Sequence, residues 1–396
     1  MKVYLIKAGA KNDYTEYKKN TGGPPQNIFS TAAATPKGVE IEMTDETHGM
    51  KVNFKSDALI VAIFMSTPDA VRAYEIAEKF RTKGTTVILG GLHTYFMQEE
   101  AAEHADALLL GEPEEIWEQL INDYKTNSLQ KIYKRKTPFD LANLNPYPLD
   151  IIDPSNYDYT WSVVVSRGCQ YQCDFCLVHK FFDSYNLRPI ESIVAEIRSL
   201  KDYGIEWCEL HSDNLTANRE YILKLFKALE PLGMNFYGET TILIARDEEI
   251  LEAANKAGVK VLLLGIETIS KEALKDQKKS FVKPEKIKEY VDIIRKHGIS
   301  VSSDFLFGFD AHDNNIFEET VDFIKGVNFD EVYPHLVIPF PGSDTFKKLD
   351  SEDRLLTKDW SQYDGTHSVF KPAKMTTTEL ENGTYWVFTK VGKTKW

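Results

Sequence analysis

The chain has 396 residues, of which 42% are hydrophobic and 27% charged, and its formal net charge is -13. This length predicts two or three domains with buried cores, and the acidic balance disfavours nucleic-acid phosphate and anionic lipid as partners. No apolar run reaches the roughly 18 residues of a membrane span, and the first residues do not form a signal peptide. A cytoplasmic protein that acts on a small-molecule or peptide substrate is therefore expected.

Short apolar runs and amphipathic stretches alternate in the first part of the chain. The strand-like runs are Lys2 to Ile6, Gly38 to Asp45, Asp57 to Met65, Thr85 to Gly91 and Ala105 to Gly111. This alternation is typical of a parallel α/β sheet with crossover connections. Residues 1–135 are predicted to form a small Rossmann-like domain, and the polar, proline-containing residues 136–160 a linker.

The same alternation returns in residues 161–345. The first strand-like run begins at Trp161 and the last begins at Glu331. Six strands, each followed by a helix or a helical loop, predict an open (β/α)6 barrel. Functional residues of such a barrel are expected where strands end and loops begin.

Three of the four cysteines stand on one turn, directly after the first barrel strand. Cys169, Cys173 and Cys176 follow at x3 and x2 spacing, in a chain with too few cysteines for a disulfide framework. Three such thiolates can bind three irons of a cubic 4Fe-4S cluster and leave the fourth iron without a protein ligand. A zinc ion held by the same thiolates and His179 is the alternative. Cys208 is interpreted as a buried thiol on a strand.

The cysteine turn resembles the signature of the radical S-adenosylmethionine enzymes, C-x3-C-x-aromatic-C, which here reads Cys169, Cys173, Phe175, Cys176. The resemblance implies that the open iron binds the methionine moiety of S-adenosylmethionine and that reductive cleavage gives a 5'-deoxyadenosyl radical. It implies that Phe175 lies near the adenine. It also implies an electron donor such as flavodoxin or ferredoxin.

Further segments are similar to the subgroup of these enzymes whose amino-terminal domain is of the cobalamin-binding type. They include "ADALLLGEPEEIWEQLINDY", "GIETIS", "FLFGFD" and "PFPGSDTFKKL". The resemblance implies a short helical extension in residues 346–396. It leaves two activities open, a cobalamin-dependent methyltransferase acting on an unactivated carbon, and a cobalamin-independent rearrangement, epimerisation, cyclisation or oxidation. The retained amino-terminal fold favours the first, whereas a non-catalytic metal-binding module would leave the barrel unexplained.

The resemblance assigns cofactor contacts, by position, to polar residues at later strand ends. Ser212 and Asp213 after the second barrel strand are implied contacts of the methionine amino group, and Glu239 after the third is a further polar contact. Glu267 after the fourth is assigned to the ribose hydroxyls or the methionine end, where Gly265 permits a ligand to approach the backbone. For each carboxylate a helix cap is the alternative role.

The amino-terminal domain leaves cobalamin binding open. Residues 8–27, after the first strand, lack the histidine of the D-x-H-x-x-G motif that replaces the base of cobalamin. Bound cobalamin is therefore expected to have water or no ligand below cobalt. Gly90 and Gly91 suit either a nucleotide-like tail lying against the backbone or a tight turn. Residues 64–66 are expected to face the corrin ring of a bound cobalamin.

Overall fold

The computed structural model describes residues 1–10, 25–149, 151, 157, 161–182, 184–327 and 329–391. The chain forms two compact units. They are Met1–Ser162 with Phe181–Asp183 and Asp359–Ser361, and Val163–Lys180 with Ser184–Lys358 and Gln362–Trp396. Most of the loop without histidine, residues 11–24, lies outside the described residues, and so does the end of the predicted extension, residues 392–396.

The first unit contains a six-stranded sheet in the order β2-β1-β3-β4-β5-β6, with every pair parallel. The strands are β1 (Lys2–Lys7), β2 (Glu40–Asp45), β3 (Ile60–Phe64), β4 (Thr86–Gly90), β5 (Ala107–Leu110) and β6 (Ile132–Lys134). The five predicted strands and their doubly wound order are confirmed. The sixth was not predicted, because it has three residues and only Tyr133 is buried. Successive strands are added to one side of β1 and then to the other, so the strand order reverses between β1 and β3, which is where open α/β sheets bind ligands.

Amphipathic helices cover this sheet. They are α1 (Gln26–Ala33), α2 (Ala70–Arg81), α3 (Leu92–Phe96), α4 (Gln98–Glu103) and α5 (Ile116–Lys125). In α2 the buried residues are spaced three or four apart, from Ala70 and Ala73 to Phe80, so one face meets the core. The described part of residues 136–160 also belongs to this unit. It places Phe139, Leu141 and other apolar side chains in the core, so this segment is more than an exposed connection.

The second unit contains six strands in the order β14-β13-β12-β11-β10-β7. They are β7 (Trp161–Val164), β10 (Trp207–His211), β11 (Asn235–Thr240), β12 (Val259–Glu267), β13 (Ser300–Phe307) and β14 (Glu331–Leu336). Each strand lies beside the next in sequence, and the pairs from β10 to β14 are parallel. Because β7 and β14 are the two edges, the six-stranded barrel is open, as predicted. A short antiparallel pair, β8 (Ser166–Arg167) with β9 (Asn186–Leu187), brackets the cysteine turn.

Helices follow the strands of this second unit. They are α6 (Val178–Phe181), α7 (Ile190–Asp202), α8 (Arg219–Leu229), α9 (Glu248–Ala257), α10 (Lys271–Asp276), α11 (Pro284–Lys296), α12 (Asn315–Val327), α13 (Asp344–Ser351) and α14 (Thr377–Val391). Side chains of Asn218, Asp247 and Ser270 cap α8, α9 and α10. Leu380 and Val387 are buried in α14, which packs on α12 and β14. In the described residues, no helix combines the length and the apolarity needed to cross a bilayer.

Candidate active site

The loop that carries the three cysteines is fixed where it begins. Gly168 has a φ of +89°, and a Cβ at this position would collide with the carbonyl oxygen of Ser184. The residue must therefore be glycine. Its N–H donates a 2.8 Å hydrogen bond to Oδ2 of Asp213, which follows β10. Asp213 thus ties the start of the cysteine loop to the neighbouring strand, a role that the sequence did not predict.

The far side of the same loop is fixed by charged residues. Lys180 donates a 3.1 Å hydrogen bond to the carbonyl oxygen of Gly342 and forms an ion pair with Asp344. The carbonyl oxygen of Asp174 accepts a 3.1 Å hydrogen bond from the N–H of Thr345, at the start of α13. The position of the cysteines is therefore set by contacts on both sides of the loop.

The three thiols are close enough to affect one another. Cys173 is buried, and Cys169 and Cys176 are partly exposed. Burial raises the pKa of each thiol, to about 11 for Cys176, and interactions with neighbouring thiols raise them further. The positive charge of Lys279 acts in the opposite direction on all three. Because metals bind thiolates, this site favours a ligand that supplies positive charge.

The two metal hypotheses require different arrangements of the donor atoms. Within the described ranges, no three His, Cys, Asp or Glu side chains converge where one ion could bind. A tetrahedral zinc site requires such convergence, whereas each thiolate of a 4Fe-4S cluster binds a different iron. His179 lies near the charges of Lys180 and Asp344. The zinc alternative, with the three thiolates and His179 as ligands, stays a prediction beside the cluster.

Lys279 is a site residue that the sequence analysis missed. It is 7% exposed and forms an ion pair with Glu267, with 2.6 Å between Nζ and Oε1. Its Nζ also lies 5.8 Å from the ring centroid of Phe175 and 5.9 Å from that of Phe281. Burial opposes its positive charge, but Glu267 and Cys173 outweigh burial and raise the pKa of Lys279. A cation is therefore held between the cysteine loop and the end of β12.

The end of β12 is shaped to present Glu267 to this lysine. Glu267 has a φ of +68°, which is uncommon for a residue other than glycine, and the register with β13 shifts beside it. A Cβ at Gly265 would lie 2.8 Å from Oε1 of Glu267 and 2.9 Å from Nζ of Lys279. The space in front of Gly265 therefore accommodates the ion pair, instead of remaining open for a ligand as expected.

Polar side chains line the inner face of the barrel on alternate positions of neighbouring strands. Glu209 and Tyr237 are paired in register on β10 and β11, and Asp304 is paired with Gly265 on β13 and β12. Nδ1 of His211 lies 3.0 Å from Glu209, and the hydroxyl of Tyr237 donates a 3.2 Å hydrogen bond to Glu239. These groups place several carboxylates on one concave surface.

This concave surface changes the protonation of its carboxyl groups. Enclosure by the barrel wall raises the pKa of Glu239 to about 7, and the charge of Glu209 adds to the effect. Enclosure likewise raises the pKa of Asp304 to about 8, together with Glu267 and Glu239. Enclosure opposes the charged form of His211, but Glu209 outweighs it and raises the pKa of His211 to about 9. The inner face is thus rich in carboxyl groups and holds part of its protons near neutrality.

Ser212 lies among internal hydrogen bonds. Its Oγ is 2.5 Å from Oγ of Ser166, and it accepts a 3.3 Å hydrogen bond from the N–H of Asn214. Ser212 is 2% exposed. In the structure it joins the end of β10 to β8, and its predicted contact with the methionine amino group stays a prediction.

The glycines of the first unit have a packing explanation. Gly91 has a φ of +100°, and a Cβ there would collide with the backbone of Met65. A Cβ at Gly90 would lie 2.8 Å from the ring of Phe64. Phe64 and Met65 are 2% and 1% exposed, so the expectation that they face a corrin ring is not supported. The tight turn suffices to explain both glycines.

A second pair missed by the sequence analysis lies at the edge of the first sheet where β1 and β3 end. Lys7 ends β1 and Asp69 follows β3, and 2.5 Å separates Nζ from Oδ2. Burial opposes the charge of Asp69, but Lys7 outweighs it and lowers the pKa of Asp69. Ser66 donates its N–H to the same carboxylate at 3.1 Å. An ion pair between Lys7 and Asp69 therefore joins the end of β1 to the segment after β3.

Residues 163–324 match the model of the radical SAM superfamily. The chain therefore contains a radical SAM domain, which confirms the class inferred from the cysteine motif. The roles of the individual site residues remain predictions.

Known proteins similar to this chain extend the comparison to both units. The bacteriochlorophyllide d C-8(2)-methyltransferase of Chlorobaculum tepidum is 29% identical over 357 residues, which cover 85% of this chain and 78% of the relative. The radical S-adenosylmethionine methyltransferase TsrM from Kitasatospora setae, solved with cobalamin and a 4Fe-4S cluster, has a TM-score of 0.70 and 16% identity over 89% of this chain and 78% of its own. The cobalamin-dependent S-adenosylmethionine radical enzyme OxsB, solved with aqua-cobalamin, has a TM-score of 0.73 and 14% identity over 97% of this chain and 66% of its own. These structures confirm the predicted fold.

Proposed function

We propose that this chain is a cobalamin-dependent radical SAM methyltransferase that methylates an unactivated carbon of a small-molecule or peptide substrate. The observation that carries the proposal is the presence, in one chain, of a fixed three-cysteine loop on an open barrel and a six-stranded Rossmann-like unit. TsrM, whose structure holds cobalamin and a 4Fe-4S cluster, has the same fold, and the Chlorobaculum tepidum relative is a methyltransferase.

The residues of the second unit fit a 4Fe-4S cluster and S-adenosylmethionine. Three thiols stand on a loop fixed on both sides, and their raised pKa values favour a positively charged ligand. When bound, the cluster and S-adenosylmethionine supply the reductive cleavage that starts radical chemistry. Cys169, Cys173 and Cys176 would hold the cluster, and the ring of Phe175 would lie beside the adenine.

The ion pair of Lys279 and Glu267 fits the methionine end of the cofactor. The methionine moiety carries one carboxylate and one amino group. Lys279 would donate a hydrogen bond to the carboxylate, and Glu267 would accept one from the amino group.

The first unit would hold cobalamin at the edge where β1 and β3 end. Open α/β sheets bind cofactors there, and the Lys7–Asp69 pair fixes this edge. Residues 8–27 provide no histidine for cobalt. We therefore propose that the cobalt of bound cobalamin has water or no ligand on its lower face.

The inner face of the barrel suggests the charge of the substrate. Glu239 and Asp304 lie there, and in the described residues no lysine or arginine forms a hydrogen bond or ion pair with either. A substrate portion with a positively charged nitrogen would compensate these carboxylates.

A flavodoxin or ferredoxin in the cytoplasm would supply the electron for the cleavage of S-adenosylmethionine.

A cobalamin-independent radical enzyme is the second candidate. It is favoured by one observation, because packing against β3 explains Gly90 and Gly91 without a bound tail. The two functions are separated by loading the anaerobic protein with iron, sulfide and cobalamin, followed by gel filtration and addition of S-adenosylmethionine with a strong reductant. About one retained cobalamin per chain together with 5'-deoxyadenosine supports the first function. Formation of 5'-deoxyadenosine by protein that has lost its cobalamin supports the second.

A further inference from the structure

His312 is a buried residue with two hydrogen-bond contacts, and the proposed chemistry does not use it. It is 2% exposed, in the loop between β13 and α12. Nδ1 accepts a long, 3.4 Å hydrogen bond from the N–H of Gly308, so Nε2 carries the proton and donates to Oγ1 of Thr268 at 2.9 Å. Burial lowers the pKa of His312 to about 3, which keeps the ring neutral.

Through Thr268, this histidine reaches the turn that carries Glu267. The N–H of Thr268 donates a 2.8 Å hydrogen bond to the carbonyl oxygen of Ile266, which closes a tight turn around Glu267. Oγ1 of Thr268 also accepts a 3.1 Å hydrogen bond from the N–H of Ser270, the cap of α10. A residue other than glycine at a φ of +68° persists only where its surroundings hold it. The contact with His312 is part of that support.

Through Phe309, the same histidine reaches the cysteine loop. The ring centroids of His312 and Phe309 are 5.2 Å apart at an interplanar angle of 82°, which is an edge-to-face contact. The ring centroid of Phe309 in turn lies 6.1 Å from that of Phe175, the residue that stands between Cys173 and Cys176 in the sequence. The side chain of His312 therefore contacts both Thr268, which is next to Glu267, and Phe309, which packs near Phe175.

We propose that His312 is a positioning residue that fixes the Glu267 turn relative to the Phe175 ring, and so sets the affinity for S-adenosylmethionine. The inference rests on the proposed function, because Glu267 and Phe175 are the residues expected to bind that cofactor. A residue that only fills space would be replaceable by an aromatic ring of similar size. The hydrogen bond to Thr268 distinguishes the two roles.

The test measures the dissociation constant of S-adenosylmethionine for anaerobically reconstituted protein, without reductant, beside iron content and melting temperature. His312→Phe and Thr268→Val should each weaken binding by about tenfold, as expected for the loss of one buried hydrogen bond, with iron content unchanged. The double variant should lose less than the sum of the two single losses, because both single variants remove the hydrogen bond between His312 and Thr268. His312→Gln should restore part of the affinity, since its amide can both donate and accept. Ile324→Val in α12 is the control for a general loss of packing and should bind normally.

Unchanged affinity in Thr268→Val and His312→Phe would overturn the inference, as would additive losses in the double variant. If His312→Phe does not fold, Thr268→Val and His312→Gln decide by the same criterion. Wild-type protein that holds iron but binds no S-adenosylmethionine would refute the proposed function and this inference with it. Normal binding by wild type and all variants would refute the inference alone.

Discussion

Lys279 and Glu267 form a buried ion pair across 12 positions of sequence, with 2.6 Å between Nζ and Oε1. The lysine stands beside the three thiols, and the carboxylate stands at the end of a barrel strand. The pair therefore connects the loop that would bind iron with the strand end that would bind the organic cofactor. Neither side chain can be removed without leaving the other charge buried alone.

The first prediction concerns this pair. Lys279→Met should destabilise the protein by about 3 kcal/mol, because it leaves a buried carboxylate without a partner. It should also abolish detectable binding of S-adenosylmethionine. Denaturant unfolding and calorimetric titration measure the two effects. Lys288→Met, on the exposed face of α11, makes the same chemical change at a surface ion pair and should change neither. Wild-type affinity in Lys279→Met would contradict the proposed role.

The second prediction concerns the thiols. Anaerobically reconstituted protein should hold about four irons and four sulfides per chain. Cys169→Ala, Cys173→Ala and Cys176→Ala should each lose them, because each thiolate is expected to hold a different iron. Cys208→Ala is the matched control, since Cys208 is fully buried on β10, and it should retain the cluster. Iron and acid-labile sulfide assays decide, and stoichiometric zinc in place of iron would show the prediction to be wrong.

The third prediction concerns pH. The pKa of Asp304 is raised from 3.8 to about 8 and that of Glu239 from 4.5 to about 7. Between the unfolded and folded pKa values the folded protein binds more protons, so these two groups make stability fall as pH rises from about 4 to about 8. His211, raised from 6.5 to about 9, adds stability that is fully present below pH 6.5 and is lost as pH passes through 9.

Thermal unfolding between pH 6 and 9 tests this dependence. Asp304→Asn should melt at a higher temperature than wild type, by a margin that grows from pH 6 to pH 8 and then levels off, because the amide has no proton to lose. Glu289→Gln, at an exposed ion pair on α11, should follow the wild-type curve. A loss of stability in Asp304→Asn at pH 9 would mean that the carboxylate has a structural partner.

The fourth prediction concerns the charge of the substrate. In saturation-transfer difference NMR, 2-phenylethylamine should receive more saturation from the reconstituted protein than 3-phenylpropionate, which has similar shape and opposite charge. The Glu239→Gln, Asp304→Asn double variant should lose this preference. The Glu289→Gln, Asp292→Asn variant removes the same charge from the outer face of α11 and should keep it. Equal signals from the two probes would count against a cationic substrate portion.

The fifth prediction concerns cobalt. With no histidine in residues 8–27, bound Co(II) cobalamin should show no nitrogen superhyperfine splitting in its paramagnetic resonance spectrum. Protein reconstituted with cobalamin and chemically reduced provides the sample. Nitrogen splitting would show that a base or an imidazole from elsewhere coordinates cobalt.

Local signals were sufficient for most of the fold and for the thiols. The cysteines stand within eight positions of one another, and the strands are continuous apolar runs, so each could be recognised from neighbouring residues. Strand β6 was missed because its three residues contain one buried side chain, Tyr133. A strand of that length has no periodicity to detect.

The missed site residues depend on contacts between distant segments. Lys279 stands next to Lys278 in a lysine-rich loop, and only the folded structure distinguishes the buried lysine from the exposed one. His312 lies two residues beyond the segment "FLFGFD", and its partner Thr268 is 44 positions away. Asp213 was placed at the correct strand end, but its hydrogen bond to Gly168 depends on the path of another loop. Such roles require tertiary contacts that no short pattern contains.

Anchoring of the cysteine loop on both sides has a consequence for oxygen damage. Asp213 holds the loop at Gly168, and Lys180 holds it at Gly342, and neither contact involves iron. Loss of the cluster in air should therefore leave a preformed cradle in a folded chain, in contrast to zinc fingers, which unfold without their metal. Such a chain can be repaired by reloading iron and sulfide, without being degraded and synthesised again.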